Sequence, residues 1–496
     1  MTLAVDEPRI HQVVGSLNHK LLINGEWVDA ASGRTFATVN PATEEILAEV
    51  AHGEAADVDA AVRAARAAFE DGSPWRKMPH GQRGKIIHKL GDLILEHLEE
   101  FALLESLDNG KPYTLAKAAD VPLAADLFHY MSGWATKIEG NTIPTSAWDP
   151  DQHLAFTLRE PVGVCAQIIP WNFPLLMAAW KIGPVLAAGC TTVLKPAEQT
   201  PLSALLLGEL AMQAGLPPGV FNILTGFGEA GAALAAHPDV DKVAFTGSTE
   251  IGREIVKAAA GNLKKVTLEL GGKSPNVVYA DADLNKAIAG SAQAIFFNQG
   301  ECCVAGSRLY VEESVYDQVV EGIGEQAKQI NVGNGLDPQT TMGPLVSQEQ
   351  FDRVTGYINS GRQDGAKILG GGRVGDRGYF VAPTVLTDTR EDMKAVREEI
   401  FGPVVAAAPF RAETDILPTA NNTNYGLGAG VFTRDIAKAY RTARRLRAGT
   451  VWVNTWNVFD ASLPFGGYKE SGWGREMGHA VFNSYMETKT VITDLS

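Results

Sequence analysis

Cysteine is scarce in this chain, with four in 496 residues at positions 165, 190, 302 and 303. That is too few for a disulfide framework and fits a reducing, cytoplasmic setting. Excess positive charge is missing as well. The formal net charge of −15 argues against nucleic acid and anionic membrane surfaces as partners. The one basic run, Arg441, Arg444, Arg445 and Arg447, reads as the solvated face of a helix stopped by Gly449. Uninterrupted apolar runs of membrane-spanning length are also absent. Leu175 to Leu194 carries only Lys181 as a charge, but Gly183, Pro184 and Gly189 break it, so it reads as a buried helix followed by a strand. The opening MTLAVDEPRI lacks an apolar core of signal-peptide length. No repeat of solenoid period and no low-complexity linker divides the chain. Metal-ligand spacing is missing at the cysteines. The segment Asp281-Ala282-Asp283-Leu284-Asn285 opens like a calcium loop but puts Lys286 where that loop needs glycine and Ala292 where it needs an acid. It reads as a helix start, and no metal is expected.

What is present is 45% hydrophobic residues, 51 glycines and 25 prolines, the mark of a soluble protein of many turns. The length allows two or three domains around a large core. Residues 1–20 show no clear period and read as a loose arm. Asp57–Phe69, with Asp57 as its cap, and Lys85–Ser106 read as helices, as does a stretch through Val121–Thr136. Leu154–Glu160 alternates apolar and polar residues as a half-buried strand does. With Ile138–Ser146 and Thr488–Asp494 it is expected to form a projecting arm used in subunit association. From Val162 onward five short apolar segments (Gly163–Ile169, Thr191–Leu194, Val220–Leu224, Lys242–Phe245 and Val266–Leu270) alternate with helices. This pattern predicts a parallel, doubly wound sheet, which takes ligands at the carboxyl ends of its strands. A second α/β pattern begins after Gly271-Gly272, with strands at Asn276–Tyr279, Leu309–Val311 and Thr450–Asn454.

Several motifs carry chemistry. Gly226-Phe227-Gly228-Glu229-Ala230-Gly231 matches a dinucleotide fingerprint, a weak signal in a glycine-rich chain. Gly247 and Ser248 open a helix where backbone amides favour an anion. Lys195 and Glu198 follow a strand and are placed either for ribose hydroxyls or as an ordinary loop ion pair. In the first case Glu198 would repel a 2′-phosphate, favouring NAD over NADP. Glu269 lies between two leucines at a strand end, where a carboxylate is costly to bury without partners. Asn172, in Pro170-Trp171-Asn172-Phe173-Pro174, is either functional or a turn residue. Cys302 and Cys303 sit together in a loop of small residues, and such a thiol is a nucleophile or a packing group.

Taken together, Pro170–Pro174 (PWNFP), Lys195–Glu198, the Gly247–Gly252 turn, Leu268–Gly272 (LELGG), Gly300–Ser307, Glu399–Pro403 (EIFGP) and Pro464–Gly467 (PFGG) resemble the aldehyde dehydrogenase superfamily over nearly the whole chain. The resemblance implies two doubly wound parallel-sheet α/β domains and a small β oligomerisation arm. The boundaries it suggests are 1–137 with 159–270 for a Rossmann-like NAD-binding domain, 271–470 for a catalytic domain, and 138–158 with 480–496 for the arm. It implies Cys303 as nucleophile, Asn172 as oxyanion donor, Glu269 as general base, and Lys181 with Glu476 as a proton relay. Glu301 stands where many members have glutamine. The presence of Glu269 implies release of a free acid rather than a coenzyme A thioester.

For NAD, the implied contacts are Ile168, Ile169, Trp171, Lys195, Glu198, Gly228, Gly231, Phe245, Gly247, Ser248, Ile251, Leu270, Gly271, Glu399 and Phe401. The aldehyde would meet Phe173, Met177, Trp180, Phe297, Trp456, Asn457, Phe459 and Phe465, a flat apolar lining. The run Phe459–Gly478 most resembles bacterial phenylacetaldehyde dehydrogenases, so an aromatic aldehyde is expected, with aliphatic or betaine-type aldehydes as the alternative. A homotetramer or homodimer is the expected assembly. A cofactor-free thiol esterase would share the cysteine but leaves the dinucleotide-like turns unexplained.

Overall fold

The structure, a computed structural model, describes residues 6–411 and 413–496. The five expected strands pair in parallel in the order Lys265–Glu269, Lys242–Thr246, Val164–Ile168, Thr191–Lys195, Phe221–Ile223. Val164–Ile168, Thr191–Lys195 and Phe221–Ile223 are buried at every position, so they show no alternation of apolar and polar faces, and buried polar residues such as Gln167, Thr192 and Asn222 are hydrogen-bonded. The chain steps outward from Val164–Ile168 to Phe221–Ile223, then returns to lay Lys242–Thr246 on the other side. The strand order therefore reverses between Val164–Ile168 and Lys242–Thr246, leaving a crevice beyond their carboxyl ends.

Sequence-distant pieces complete both edges. Leu21–Ile23 runs antiparallel to Phe221–Ile223, and Gly472–Trp473 runs antiparallel to Lys265–Glu269 with Gly472 opposite Glu269. A second, seven-stranded sheet runs Lys367–Gly370, Thr384–Thr387, Val404–Phe410, Arg308–Glu312, Pro275–Val278, Gly428–Phe432, Thr450–Val453. It is parallel except at the Lys367–Gly370 edge. The fold is thus α/β with two parallel-sheet units and a small strand arm. Among the described residues no helix is long and apolar enough to cross a membrane.

The arm differs from expectation in one respect. His153–Pro161 pairs antiparallel with Met486–Asp494 over nine residues, but Ile138–Ser146 supplies only a bridge from Thr142 to Phe156. Pro144 has no N–H to give a ladder, and Gly140 weakens what precedes it.

The N-terminal segment also departs from a loose arm. Residues 1–5 lie outside the described residues, and Glu7–Ser16 is a helix whose Arg9 N–H donates to the Asp6 side chain at 3.0 Å. Asp57 is not a cap but the third residue of a capping box whose cap is Glu54. The stretch read as one helix to Ser106 is interrupted at His97, with helices His80–Glu96 and Leu98–Leu104 on either side. Asp283 caps the helix Leu284–Phe296, which accounts for the calcium-like sequence.

Candidate active site

The loop carrying Cys302 and Cys303 precedes the strand Arg308–Glu312 of the second sheet and faces the carboxyl ends of the first. Two glycines make that approach possible. A side chain on Gly272 would start 2.2 Å from the Cys303 carbonyl oxygen, and one on Gly271 would start 2.2 Å from a Glu399 carboxylate oxygen. Both collisions are with groups that cannot withdraw without moving the loop or losing a bond. The Gly272 N–H donates to Glu399 at 2.8 Å, tying the carboxylate to the junction between the sheets. Burial pushes the Glu399 carboxyl up to about 7, against the pull of that N–H and of Arg353 and Lys273.

Asn172 lies beyond the end of Val164–Ile168, and its side-chain amide donates to the Glu301 backbone carbonyl at 3.0 Å. One of its two N–H groups is therefore used for orientation, leaving the other for a ligand. Asn298 reinforces this arrangement, a residue that sequence reasoning missed. Its amide donates to the Asn172 carbonyl at 3.0 Å and to the Glu301 carbonyl at 3.1 Å. Asn298 and Gln299 both adopt left-handed backbone, with φ of 49° and 57°. Asparagine tolerates that region better than most side chains, and its amide repays the bend with two bonds.

Cys302 is buried at 5% exposure, whereas Cys303 is half-buried. A hydrogen bond with the Cys302 thiol, burial, and the nearby Glu399 and Glu269 carboxylates push the Cys303 thiol well above its ordinary value. Glu269 is buried, and neither of its carboxylate oxygens has a hydrogen-bond partner. Burial first, then the charge of Glu476, pushes its carboxyl well up, with Lys181 and Arg475 pulling the other way. A buried carboxyl left without a hydrogen-bond partner is costly, and such groups cluster at functional sites.

Lys181 and Glu476 form a buried ion pair at 2.5 Å. Glu476 is held in register by reciprocal backbone bonds with Phe465, at 2.8 and 2.9 Å. Glu301 is also buried, and it accepts from the Val346 N–H while its carboxyl is pushed well up by burial.

The aromatic residues gather on two walls. Phe173, Met177 and Trp180 are spaced to share one face of the helix Pro174–Ala188 and its entry. Trp180 meets Phe465 at 5.1 Å and Phe459 at 6.3 Å, and Phe459 and Phe465 are 5.8 Å apart. Phe173 stacks on Phe297 at 6.1 Å, and the buried Lys111 ammonium lies 4.5 Å over the Phe173 ring. Trp456 turns toward the second sheet instead: its ring occupies the space that a side chain on Gly430 would need, and it reaches the other rings through Trp452. Asn457 carries both its amide atoms buried without a partner.

The cofactor candidates line the strand-order reversal. Ile168 ends one strand with Ile169 just beyond it, and Phe245 lies near the end of its neighbour. Gly247 and Ser248 open the helix Thr249–Ala259, with Ser248 capping Ile251. A side chain on Gly231 would touch Lys195 and Ile168, one on Gly252 would strike Leu270, and Gly228 faces open space at the start of Gly228–Ala236. Lys195 and Glu198 stand 3.5 Å apart, with Lys195 buried and Glu198 partly exposed. Ile251 is 49% exposed on the crevice-side helix. Trp171 and Phe401 meet edge to face at 5.3 Å. A helix N-terminus opened by Gly247 and Ser248, small residues along the floor and a lysine–carboxylate pair at one end fit the donor set a dinucleotide needs.

The profile of the aldehyde dehydrogenase family matches residues 27–491. Human mitochondrial aldehyde dehydrogenase is 53% identical over 476 residues, covering 95% of this chain and 91% of that one. Among solved structures, the NAD+ complex of aldehyde dehydrogenase from Bacillus cereus superposes with a TM-score of 0.97 at 50% identity, covering all of both chains. An indole-3-acetaldehyde dehydrogenase from P. syringae, solved with NAD+ and IAA, superposes with a TM-score of 0.95 at 41% identity, again over all of both chains. The chain belongs to the aldehyde dehydrogenase family. It is an oxidoreductase that acts on the aldehyde group.

Proposed function

We propose that this enzyme oxidises an arylacetaldehyde such as phenylacetaldehyde to its carboxylic acid, with NAD as hydride acceptor and Cys303 as nucleophile. The carrying observation is the mutual contact of Trp180, Phe459 and Phe465, with Phe173 stacked on Phe297. Rings at these spacings favour a flat apolar guest. The relative from P. syringae, named for an arylacetaldehyde of the same kind, supports this reading.

In the proposed mechanism the Cys303 thiolate attacks the carbonyl carbon. The Asn172 amide, steadied by Glu301 and Asn298, and the Cys303 N–H hold the oxyanion. The crevice residues would hold NAD, which would supply the hydride acceptor there; loss of hydride from the carbon bound to Cys303 turns the adduct into a thioester. Glu269 then removes a proton from water, and the resulting hydroxide releases the acid. The Lys181–Glu476 pair beside Glu269 is the proposed route by which that proton leaves. The Glu198 carboxylate supports a preference for NAD over NADP.

For substrate choice, the test is a kinetic panel of phenylacetaldehyde, benzaldehyde, hexanal and betaine aldehyde. Phenylacetaldehyde is expected to show the highest kcat/KM, by about tenfold or more over hexanal, the scale a hydrophobic pocket can discriminate. Betaine aldehyde at the top of the ranking would overturn the aromatic assignment.

For positioning, Asn298→Gly tolerates the left-handed backbone while removing the clasp on Asn172. We expect kcat to fall about 10- to 100-fold with KM little changed, less than direct loss of an oxyanion donor costs. An unchanged kcat would remove Asn298 from the site.

The arm strands leave Leu154, Leu158 and Ile492 exposed, which supports assembly into a homotetramer, with a dimer as the alternative. Light scattering that returns a monomer mass would refute assembly through the arm. The four free thiols are consistent with a cytoplasmic setting.

A further inference from the structure

Away from the active site, the helices His80–Glu96 and Val121–Trp134 run antiparallel and unusually close. A side chain on Gly84 would start 2.7 Å from the Ser132 carbonyl, and one on Gly91 would start 2.6 Å from the His129 imidazole and 3.1 Å from the Ala125 carbonyl. This closeness brings His88 and Asp92, one turn apart on the first helix, against His129 on the second. One ligand atom from each of the three lies within 4.8 Å of the others. His129 Nε2 is 3.0 Å from the Asp92 carboxylate, His88 Nε2 is 3.9 Å from it, and the two rings lie 4.5 Å apart.

The hydrogen bonds around His88 decide which nitrogen is available. Ser132 Oγ gives its single proton to the His129 carbonyl at 2.6 Å. Toward His88 Nδ1, at 3.5 Å, it is left as an acceptor, which favours the tautomer with the ring proton on that nitrogen. In that tautomer the lone pair of His88 is on Nε2, on the side of Asp92. Carboxylate and backbone partners commonly orient metal-binding histidines in this way, and here a hydroxyl fills the role. The neighbouring cation Lys89 is directed elsewhere, its ammonium donating to the Gln213 carbonyl at 3.0 Å. Lys85 shares the depression, which opens to solvent and leaves room for water ligands.

We propose that His88, Asp92 and His129 form a surface site for a divalent transition cation of the zinc type, clamping the two helices together. Two imidazoles and one carboxylate select such a cation over calcium or magnesium, which prefer all-oxygen shells. His88 is exposed, so its ring is free to rotate toward the donors of Asp92 and His129. The site uses none of the residues of aldehyde oxidation, so its occupancy is read independently of turnover.

The test is calorimetric titration of untagged, metal-stripped protein with zinc chloride, after alkylating the accessible thiols with iodoacetamide so that Cys303 cannot compete. One zinc per chain is expected. His88→Ala and His129→Ala should each weaken binding at least tenfold, and Ser132→Ala should weaken it about tenfold through loss of the orienting hydroxyl. Zinc should raise the melting temperature of the unsubstituted protein and leave that of the His88→Ala/His129→Ala double variant unchanged. Alanine suits both helix surfaces, so the variants should match the parent in melting temperature without zinc and in aldehyde oxidation. Absence of zinc binding by the parent protein, or equal binding by the double variant, would overturn the proposal.

Discussion

Replacing Cys303 with alanine should abolish NADH formation from aldehyde, a loss of at least about 10³-fold, the scale seen when a nucleophile is removed. Cys302→Ala should keep most of the activity. The two thiols are neighbours in sequence but not in environment. Cys302 belongs to the packed core, whereas Cys303 is half-buried, with its backbone carbonyl seated against Gly272 where the two sheets meet. Cys302 is nonetheless the largest of the influences that hold the Cys303 thiol well above its ordinary value. Its removal should therefore ease deprotonation of Cys303 and move the pH dependence of the first step toward lower pH, at a modest cost in packing. Two measurements read this out: the pre-steady-state rate of NADH appearance against pH, and the mass of the peptide labelled by iodoacetamide. Equal loss of activity in both variants would undo the assignment of Cys303, and labelling confined to Cys302 would reverse it.

The contrast between these cysteines was only half legible in the sequence. The residues alone left nucleophile and packing group open, and the family resemblance pointed to the second of the pair. The strands of the first sheet were legible because burial on both faces writes itself as short, mostly apolar or β-branched segments that alternate with helices. Less visible was Val404–Phe410, whose Val-Val-Ala-Ala-Ala-Pro-Phe sequence has weak strand propensity but lies in the middle of the second sheet. Gly472–Trp473 could not be found by any local pattern, since two residues carry no period; pairing across 203 positions places Gly472 opposite Glu269. Asn298 was hidden for a related reason. Its role lies in two backbone carbonyls, at 172 and 301, that only the fold brings within reach. The cluster of His88, Asp92 and His129 was half visible, since two members are four apart on a helix, but the third depends on how closely glycines let that helix approach its neighbour.

Glu269→Gln should separate the two halves of the reaction. The substitution keeps shape and removes the ability to take a proton, so hydride transfer should proceed once per active chain and then stall at the thioester. The expected trace is a burst of NADH followed by a steady rate lower by about 10²- to 10⁴-fold, the usual contribution of a general base. The pH dependence gives a second, independent reading. Burial and the Glu476 charge hold the Glu269 carboxyl protonated to higher pH than an ordinary glutamate, with Lys181 and Arg475 limiting the rise. The basic form is therefore lost as pH falls through that raised value, and where hydrolysis limits turnover the parent enzyme's steady rate should climb from acid toward alkaline pH. The variant should lose this limb. The burst rate, by contrast, should keep its own rise with pH in both proteins, because it follows deprotonation of Cys303, whose thiol is also held high. Normal turnover without a burst would take Glu269 out of the mechanism. A steady rate in the variant that still climbs with the parent's profile would assign the titration to another group, and the buried Lys181–Glu476 pair would then be the next one to substitute.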